Sequence, residues 1–272
     1  MRSVGLVFGM LALASLAQAQ APVVNAGGVL NSGSYTSNGV APGSIVSIFG
    51  TNLAATGAGA NTIPLSTTLS DVTSVTFNGV PAGLFYTGSN QINAQLPFDV
   101  LPSGQQSGTV NVVVTRTAGG SVPQSVPVSQ VSPGIFTTTA NGLGQAFAYD
   151  NTTGLTAAPA NAIPGLPTAP LSVSSGHALI IACTGLGAVT PSIADYVAAS
   201  DGVFRNTVLQ PVVLIGGVPA QFVYSVLSPQ YVSEYQIGVV PAANTPTGNA
   251  VTLQIQIGGV TTSNMVTIAV AP

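Results

Sequence analysis

The chain has 272 residues, of which 46% are hydrophobic and only 3% charged, with three Lys plus Arg, six Asp plus Glu, one His, one Cys and no Trp. Ordinary soluble domains carry roughly 25% charged residues, so Ser, Thr, Asn and Gln, 85 residues in all, must supply the exposed surface. So few cations exclude nucleic acid and anionic membrane as partners, one cysteine excludes an internal disulfide, and the apolar content excludes a disordered chain.

Residues 1–19 read as a signal peptide, with Arg2 as the positive start, Val4 to Ala17 as the apolar run and Ala17-Gln18-Ala19 as a small-x-small cleavage site. The run falls short of the roughly 20 residues that span a membrane. An exported chain of about 253 residues, cut after Ala19 and without membrane insertion, is the expectation. Residues 20–40, rich in Asn, Gly and Ser, precede the first recognisable strand and pair either with their own sandwich or with a neighbouring subunit.

Strand patterns follow. Pro42 to Leu53 holds an apolar strand that runs into a glycine-rich loop over Gly50 to Ala60. Asn78-Gly79 accepts positive φ at both positions and predicts a hairpin between Val75-Thr76-Phe77 and Leu84 to Tyr86. Thr109 to Thr115 places Val110, Val112 and Val114 on one face, and Val251 to Ile257 alternates apolar residues with Thr252, Gln254 and Gln256. Ser192 to Ala199 is the single helix candidate. Between these runs, Val131 to Ser172 carries Ser132-Pro133-Gly134-Ile135-Phe136 and a Pro-rich stretch at 161–170, read either as a loop of the second domain or as a linker.

Three blocks recur in one order: Pro42 to Leu53 with Ser175 to Leu186, Phe77 to Ala82 with Ile215 to Ala220, and Gln91 to Pro97 with Gln236 to Pro241. Repetition of this kind indicates two copies of one domain. The predicted fold is therefore all-β, two tandem immunoglobulin-like sandwiches at 41–130 and 131–272. Val40 to Gly50, Gln91 to Pro97 and Ser132 to Phe136 resemble the Solibacter-type C-terminal domain family of acidobacterial secreted proteins, which implies export and a bacterial source but no activity. More loosely, the Pro-Gly-Ser strand followed by Gly50-Thr51-Asn52-Leu53 is similar to the TIG class of immunoglobulin-like domains.

Candidate chemistry is sparse. His177, the one histidine, reads as a strand-end residue, since no nucleophile motif accompanies it. Cys183 sits in the apolar run Leu179 to Cys183 and reads as core filler, with an exposed thiol that links two chains as the alternative. Asp150-Asn151-Thr152-Thr153-Gly154 resembles a calcium loop less than a turn, and one His with one Cys cannot complete a zinc site. No metal or other cofactor is expected. Two of the six acids can still meet in space for glycoside chemistry.

Tyr196 and Tyr231, in loop-like sequence, are the candidates for an exposed sugar-stacking platform, whereas Phe85, Tyr86, Phe222 and Tyr224 are assigned to the core. The reading is a non-catalytic extracellular or cell-surface module, not an enzyme, for adhesion, surface structure or self-assembly. A carbohydrate- or protein-binding accessory domain is its alternative, with the chain itself, polysaccharide or protein as partner.

Overall fold

The structure is a computed structural model that describes residues 20–261, 264 and 266–272. The signal peptide read at residues 1–19, with its cleavage site, lies outside the described residues. The N-terminal half holds β1 (Val23–Asn31), β2 (Ile45–Thr51), β3 (Ala58–Gly59), β4 (Val72–Phe77), β5 (Val80–Pro81), β6 (Gly83–Thr87), β7 (Gln91–Gln95), β8 (Ser107–Arg116), β9 (Gly119–Gly120) and β10 (Gln124–Ser129). The C-terminal half begins with β11 (Gly134–Ile135), β12 (Gly144–Gln145), β13 (Ala148–Asp150), β14 (Thr156–Ala157), β15 (Thr168–Ala169) and β16 (Leu171–Ser172). It continues with β17 (Leu179–Thr184), β18 (Val189–Thr190), β19 (Asn206–Thr207), β20 (Val212–Ile215) and β21 (Val218–Pro219). The last strands are β22 (Gln221–Leu227), β23 (Tyr235–Val240), β24 (Gly248–Ile257), β25 (Val260–Thr261) and β26 (Val266–Ala271).

Each half packs one sheet on another. In the first, β1-β2-β7-β6-β3 faces β10-β8-β4-β5, and Ile48, Ile92, Phe77 and Val112 meet in one buried cluster. In the second, β15-β14-β13-β17-β23-β22-β19-β18 faces β12-β26-β24-β20-β21, around Ile181, Ile237, Ile255 and Ile268. The all-β, immunoglobulin-like sandwich class read from the sequence is the class observed.

Strand order repeats between the halves: β1, β2, β7, β6 and β3 take the places of β13, β17, β23, β22 and β19. Register repeats as well, since Ile48 pairs with Ile92 as Ile181 pairs with Ile237. Period-two patterning accounts for these strands: Val110, Val112 and Val114 are fully buried, while Thr252, Gln254 and Gln256 face solvent between the buried Val251, Leu253, Ile255 and Ile257. Truncating one such core Ile to Ala costs about 2–5 kcal/mol.

Several expectations are corrected. Asn78-Gly79 does form the turn, with φ of +49° and +84°, but its second arm is Val80–Pro81. Leu84 to Tyr86 crosses instead to the opposite sheet and pairs with β7. The matching turn in the second half is Gly216-Gly217, also at positive φ. Of the two pairings read for residues 20–40, the one within the chain is observed: Val23–Asn31 is itself the first strand and pairs with β2.

Ser192 to Ala199 is not helical. The backbone of Tyr196 is spent on the first half, its N–H donating to Gln95 Oε1 at 2.6 Å and its carbonyl accepting the Leu65 amide at 2.8 Å, while the Ala199 amide donates to the Ser228 carbonyl at 3.4 Å. Among the described residues the one helical turn is the 3-10 turn Val173–Ser175, and no helix is long and apolar enough to cross a membrane. The stretch 131–172 supplies β11 to β16, and Val131, Ile135, Ala146 and Ala148 enter the second core.

Candidate functional site

A cleft of about 730 Å³ opens where the two halves meet. One wall comes from Ile45 at the start of β2, the loop Ala60 to Leu65, and Phe85 on β6; the other comes from Phe136 and the segment Tyr231 to Glu234. Ala60 N–H donates to the Phe85 carbonyl and Leu84 N–H to the Ser66 carbonyl, each at 2.8 Å, so the loop is laced to β6.

The opposite wall is a closed turn. Ser228 N–H donates to the Glu234 carbonyl at 2.8 Å, and Ser228 Oγ accepts from the Gln230 and Tyr231 amides at 3.3 and 3.4 Å. Thr184 ties the walls together beneath the cleft. Its Oγ1 accepts the Ile45 amide at 3.0 Å and donates to the Ser233 carbonyl at 2.9 Å, while Ser233 holds the left-handed conformation at φ +59°.

The lining mixes aromatic rings with neutral polar groups. Tyr231 is 58% exposed and Ile63 54%, Phe85 and Phe136 are half-buried, and Asn61 and Thr62 are exposed. Glu234 is the one carboxylate among these lining residues. Burial pushes its carboxyl above the usual range, against the opposing pull of hydrogen bonds from Gln236 and Ser228. Hydrolysis of a glycoside ordinarily requires two carboxyl groups flanking the bond, and this cleft presents one.

Of the two predicted platform tyrosines, Tyr231 lies in the cleft and Tyr196 does not. Tyr196 Oη donates to the Pro81 carbonyl at 2.6 Å, and its ring rests where a Cβ on Gly83 would come within 2.6 Å. It is half-buried and acts as a strut between the halves. The core assignment of the other aromatics is also corrected: Tyr86 is 40% exposed, and Phe85, Phe222 and Tyr224 are half-buried. Bulges between Leu84 and Tyr86 and between Phe222 and Tyr224 interrupt the alternation and turn these rings outward. Phe85 and Phe136 were missed as lining residues because the surface they share is assembled from positions far apart in the chain.

The remaining polar candidates are structural. His177 precedes β17, as expected of a strand-end residue, but it has a partner: Nδ1 lies 2.8 Å from Asp150 Oδ2. Asp150 Oδ1 in turn accepts the Thr152 and Thr153 amides, which makes Asp150 to Gly154 the expected turn. Cys183 is fully buried, and its thiol is raised well above its ordinary range by burial first and by the nearby Glu234 charge second. The exposed-thiol alternative is therefore overturned.

Asp195 and Asp99 are close enough to raise the Asp195 carboxyl, after the larger effect of burial, but Asp195 Oδ1 is engaged by the Phe98 amide at 3.0 Å. Among the described residues no group of three or more His, Cys, Asp and Glu is placed to hold a metal ion. Arg116 and Arg205 are both buried and paired, with Asp71 at 2.7 Å and Asp201 at 2.6 Å.

No protein-family model matches the sequence, and no curated protein does. Among solved structures the chain is similar to the plexin A4 extracellular region, at 12% identity and a TM-score of 0.30 over 98% of this chain and 20% of that one. It is also similar to a Bacteroides ovatus surface protein, SGBP-B of a mixed-linkage glucan utilization locus, at 15% identity and 0.32 over 85% and 42%. The titin I9–I11 tandem gives 8% identity and 0.19 over 85% and 62%. The chain thus spans less than two thirds of each of these proteins, and the likeness is one of β architecture alone.

Proposed function

We propose that this chain is an exported, non-catalytic carbohydrate-binding module of two tandem immunoglobulin-like domains, and that the cleft at their junction receives neutral glycan. One observation carries the reading: Tyr231 stands 58% exposed on a cleft it shares with Phe85, Phe136, Asn61, Thr62 and Glu234. The C–H face of a pyranose is apolar and stacks on aromatic rings, while its hydroxyls require amide, hydroxyl and carboxyl partners at the rim. Few convergent polar groups on an apolar floor meet both demands.

Self-assembly has less support. One route to it was exchange of residues 20–40 between subunits, and Val23–Asn31 is paired within its own sheet. Isothermal titration of the purified protein with neutral oligosaccharides is the test, with Tyr231→Ala as the control. Binding that Tyr231→Ala weakens about tenfold supports the reading; a folded protein that binds none of them refutes it.

A further inference from the structure

A second cleft, of about 640 Å³, lies over strands β19, β22 and β23 of the second half. Its floor is a row across three strands: Gln236 on β23 pairs with Val226 on β22, and Val226 with Asn206 on β19. Tyr224 sits one step along, opposite Gly238, and its ring covers that glycine so closely that an added Cβ would lie 2.6 Å from it. Phe204 forms the rim and is 78% exposed, the most exposed large apolar side chain among the described residues. The loop that presents it is held by a two-pronged ion pair, with Arg205 Nη1 and Nη2 donating to the two Asp201 carboxylate oxygens at 2.6 and 2.7 Å.

The two clefts are neighbours. Glu234 lines the first and Gln236 the second, two positions apart and therefore about 7 Å along one face of the chain. Gln236 Nε2 donates to Glu234 Oε1 at 3.4 Å across that step. The wall between them is the single turn of Ser228 to Tyr231, with Pro229 on one side and Tyr231 on the other.

We infer that the two clefts are one extended track, and that its ligand is a stretch of neutral polysaccharide chain rather than a single sugar or a chain end. This rests on the carbohydrate reading above. Charge selects the ligand class. Across both clefts Glu234 is the only charge-bearing side chain among the lining residues, and Arg205 beside them is committed to Asp201. An acidic or sulfated glycan finds no cation there, and its anions would face Glu234. Two aromatic rings stand along the track, Tyr231 on the turn between the clefts and Phe204 at the rim of the second, and with the Gln236 and Asn206 amides they match the alternation of apolar sugar faces and hydroxyl edges along a neutral chain.

The test is a length series in isothermal titration: cello-, xylo- and manno-oligosaccharides from one to six sugars, with oligogalacturonate as the acidic comparison. For the family that binds, affinity is expected to rise from disaccharide to hexasaccharide. Phe204→Ala is expected to weaken the hexasaccharide roughly three- to tenfold and to leave the disaccharide unchanged, whereas Tyr231→Ala weakens both. Gln236→Ala serves as a second probe of the track, and a thermal scan of each variant confirms folding.

If neutral sugars bind equally at every length, or if Phe204→Ala and Gln236→Ala leave the hexasaccharide untouched, the extended track is wrong and the single-cleft reading survives. Preference for oligogalacturonate overturns the charge argument. If no sugar binds, the carbohydrate reading itself fails.

Discussion

Asn31 and Ser132, 101 positions apart in the chain, are joined by a 2.7 Å hydrogen bond from the Asn31 side-chain amide to the Ser132 carbonyl. The same side chain accepts the Gly33 and Ser34 amides at 2.7 and 3.1 Å, and it is fully buried. Asn264, whose side-chain amide donates to the Ile135 carbonyl of its own half at 2.7 Å, also reaches the Gly33 carbonyl of the first half at 3.5 Å. Glycines let the two halves approach this closely: a Cβ on Gly134 would lie 2.1 Å from Asn31 Oδ1, and one on Gly33 would lie 2.4 Å from the Gly134 carbonyl oxygen. A linker that swings freely has no such contacts, so the relation of the two halves, and with it the cleft, is preorganised.

Replacing Asn31 by Ala is therefore expected to cost about 2–4 kcal/mol, because two amides and a carbonyl lose their partner in a buried place. Differential scanning calorimetry measures the consequence. The parent protein is expected to melt in one transition and Asn31→Ala in two, one for each half. A single unshifted transition in the variant contradicts the coupling.

Tyr235 offers a cleaner measure of one buried hydrogen bond. Its ring is fully buried, and its hydroxyl donates to the Gly187 carbonyl at 2.5 Å. Tyr235→Phe keeps the packing and leaves that carbonyl unpaired, so a loss of about 1–2 kcal/mol is expected in chemical denaturation. A variant as stable as the parent means that the carbonyl has found another partner.

The strand faces were legible because alternation is local. Val110, Val112 and Val114 need only each other to be read as one face, and Asn78-Gly79 carries its turn in two residues. What could not be read depends on distance and on interruption. Asn31 meets Ser132 across 101 positions, so neither residue shows its role in its own neighbourhood. Tyr196 looked like an exposed loop residue, but its hydroxyl is claimed by Pro81, 115 positions away. The cleft was legible only at Tyr231; Phe85 was hidden by a bulge that a two-residue period cannot anticipate.

The pair of Asp150 and His177 predicts an acid-sensitive fold. Burial raises the Asp150 carboxyl, and the His177 ring, the Thr152 and Thr153 amides and the His177 charge together outweigh it, so its pKa lies below the ordinary 3.8. A carboxylate depressed in the folded state contributes stability that is complete above the unfolded value of about 3.9 and is lost as pH falls through the lower folded value. The melting temperature is thus expected to drop below about pH 4, and Asp150→Asn to flatten that drop. His177→Ala is expected to cost at most about 1 kcal/mol at neutral pH, since the ring is 31% exposed and the pair is partly screened. It should leave sugar binding unchanged, because His177 lines neither cleft.

The last expectation concerns the edge of the first sheet. β1 is its outermost strand, and it is irregular: the register shifts between Val24 and Val29, with Gly27 at φ +66°. A bulged edge is a poor template for a neighbouring molecule. The strand beneath it is different, because β2 pairs with β7 in unbroken register from Ile45 to Phe49, and it carries no charged residue. Residues 20–31 therefore cover a flat, uncharged edge, and their removal is expected to promote association. This reverses the sense of an assembly strand. Removal also uncovers Val46 and Ile48, now fully buried, so the melting temperature should fall as well. Backbone pairing between neutral edges is little screened by ions, and the association of the truncated chain should persist at high salt. Sedimentation velocity at tens of micromolar, in low and high salt, compares the two forms. The chain from Gln20 is expected to remain a monomer and the chain from Ser32 to form larger species in both buffers. Larger species from the Gln20 form that disappear on truncation would return β1 to the role of a strand exchanged between subunits.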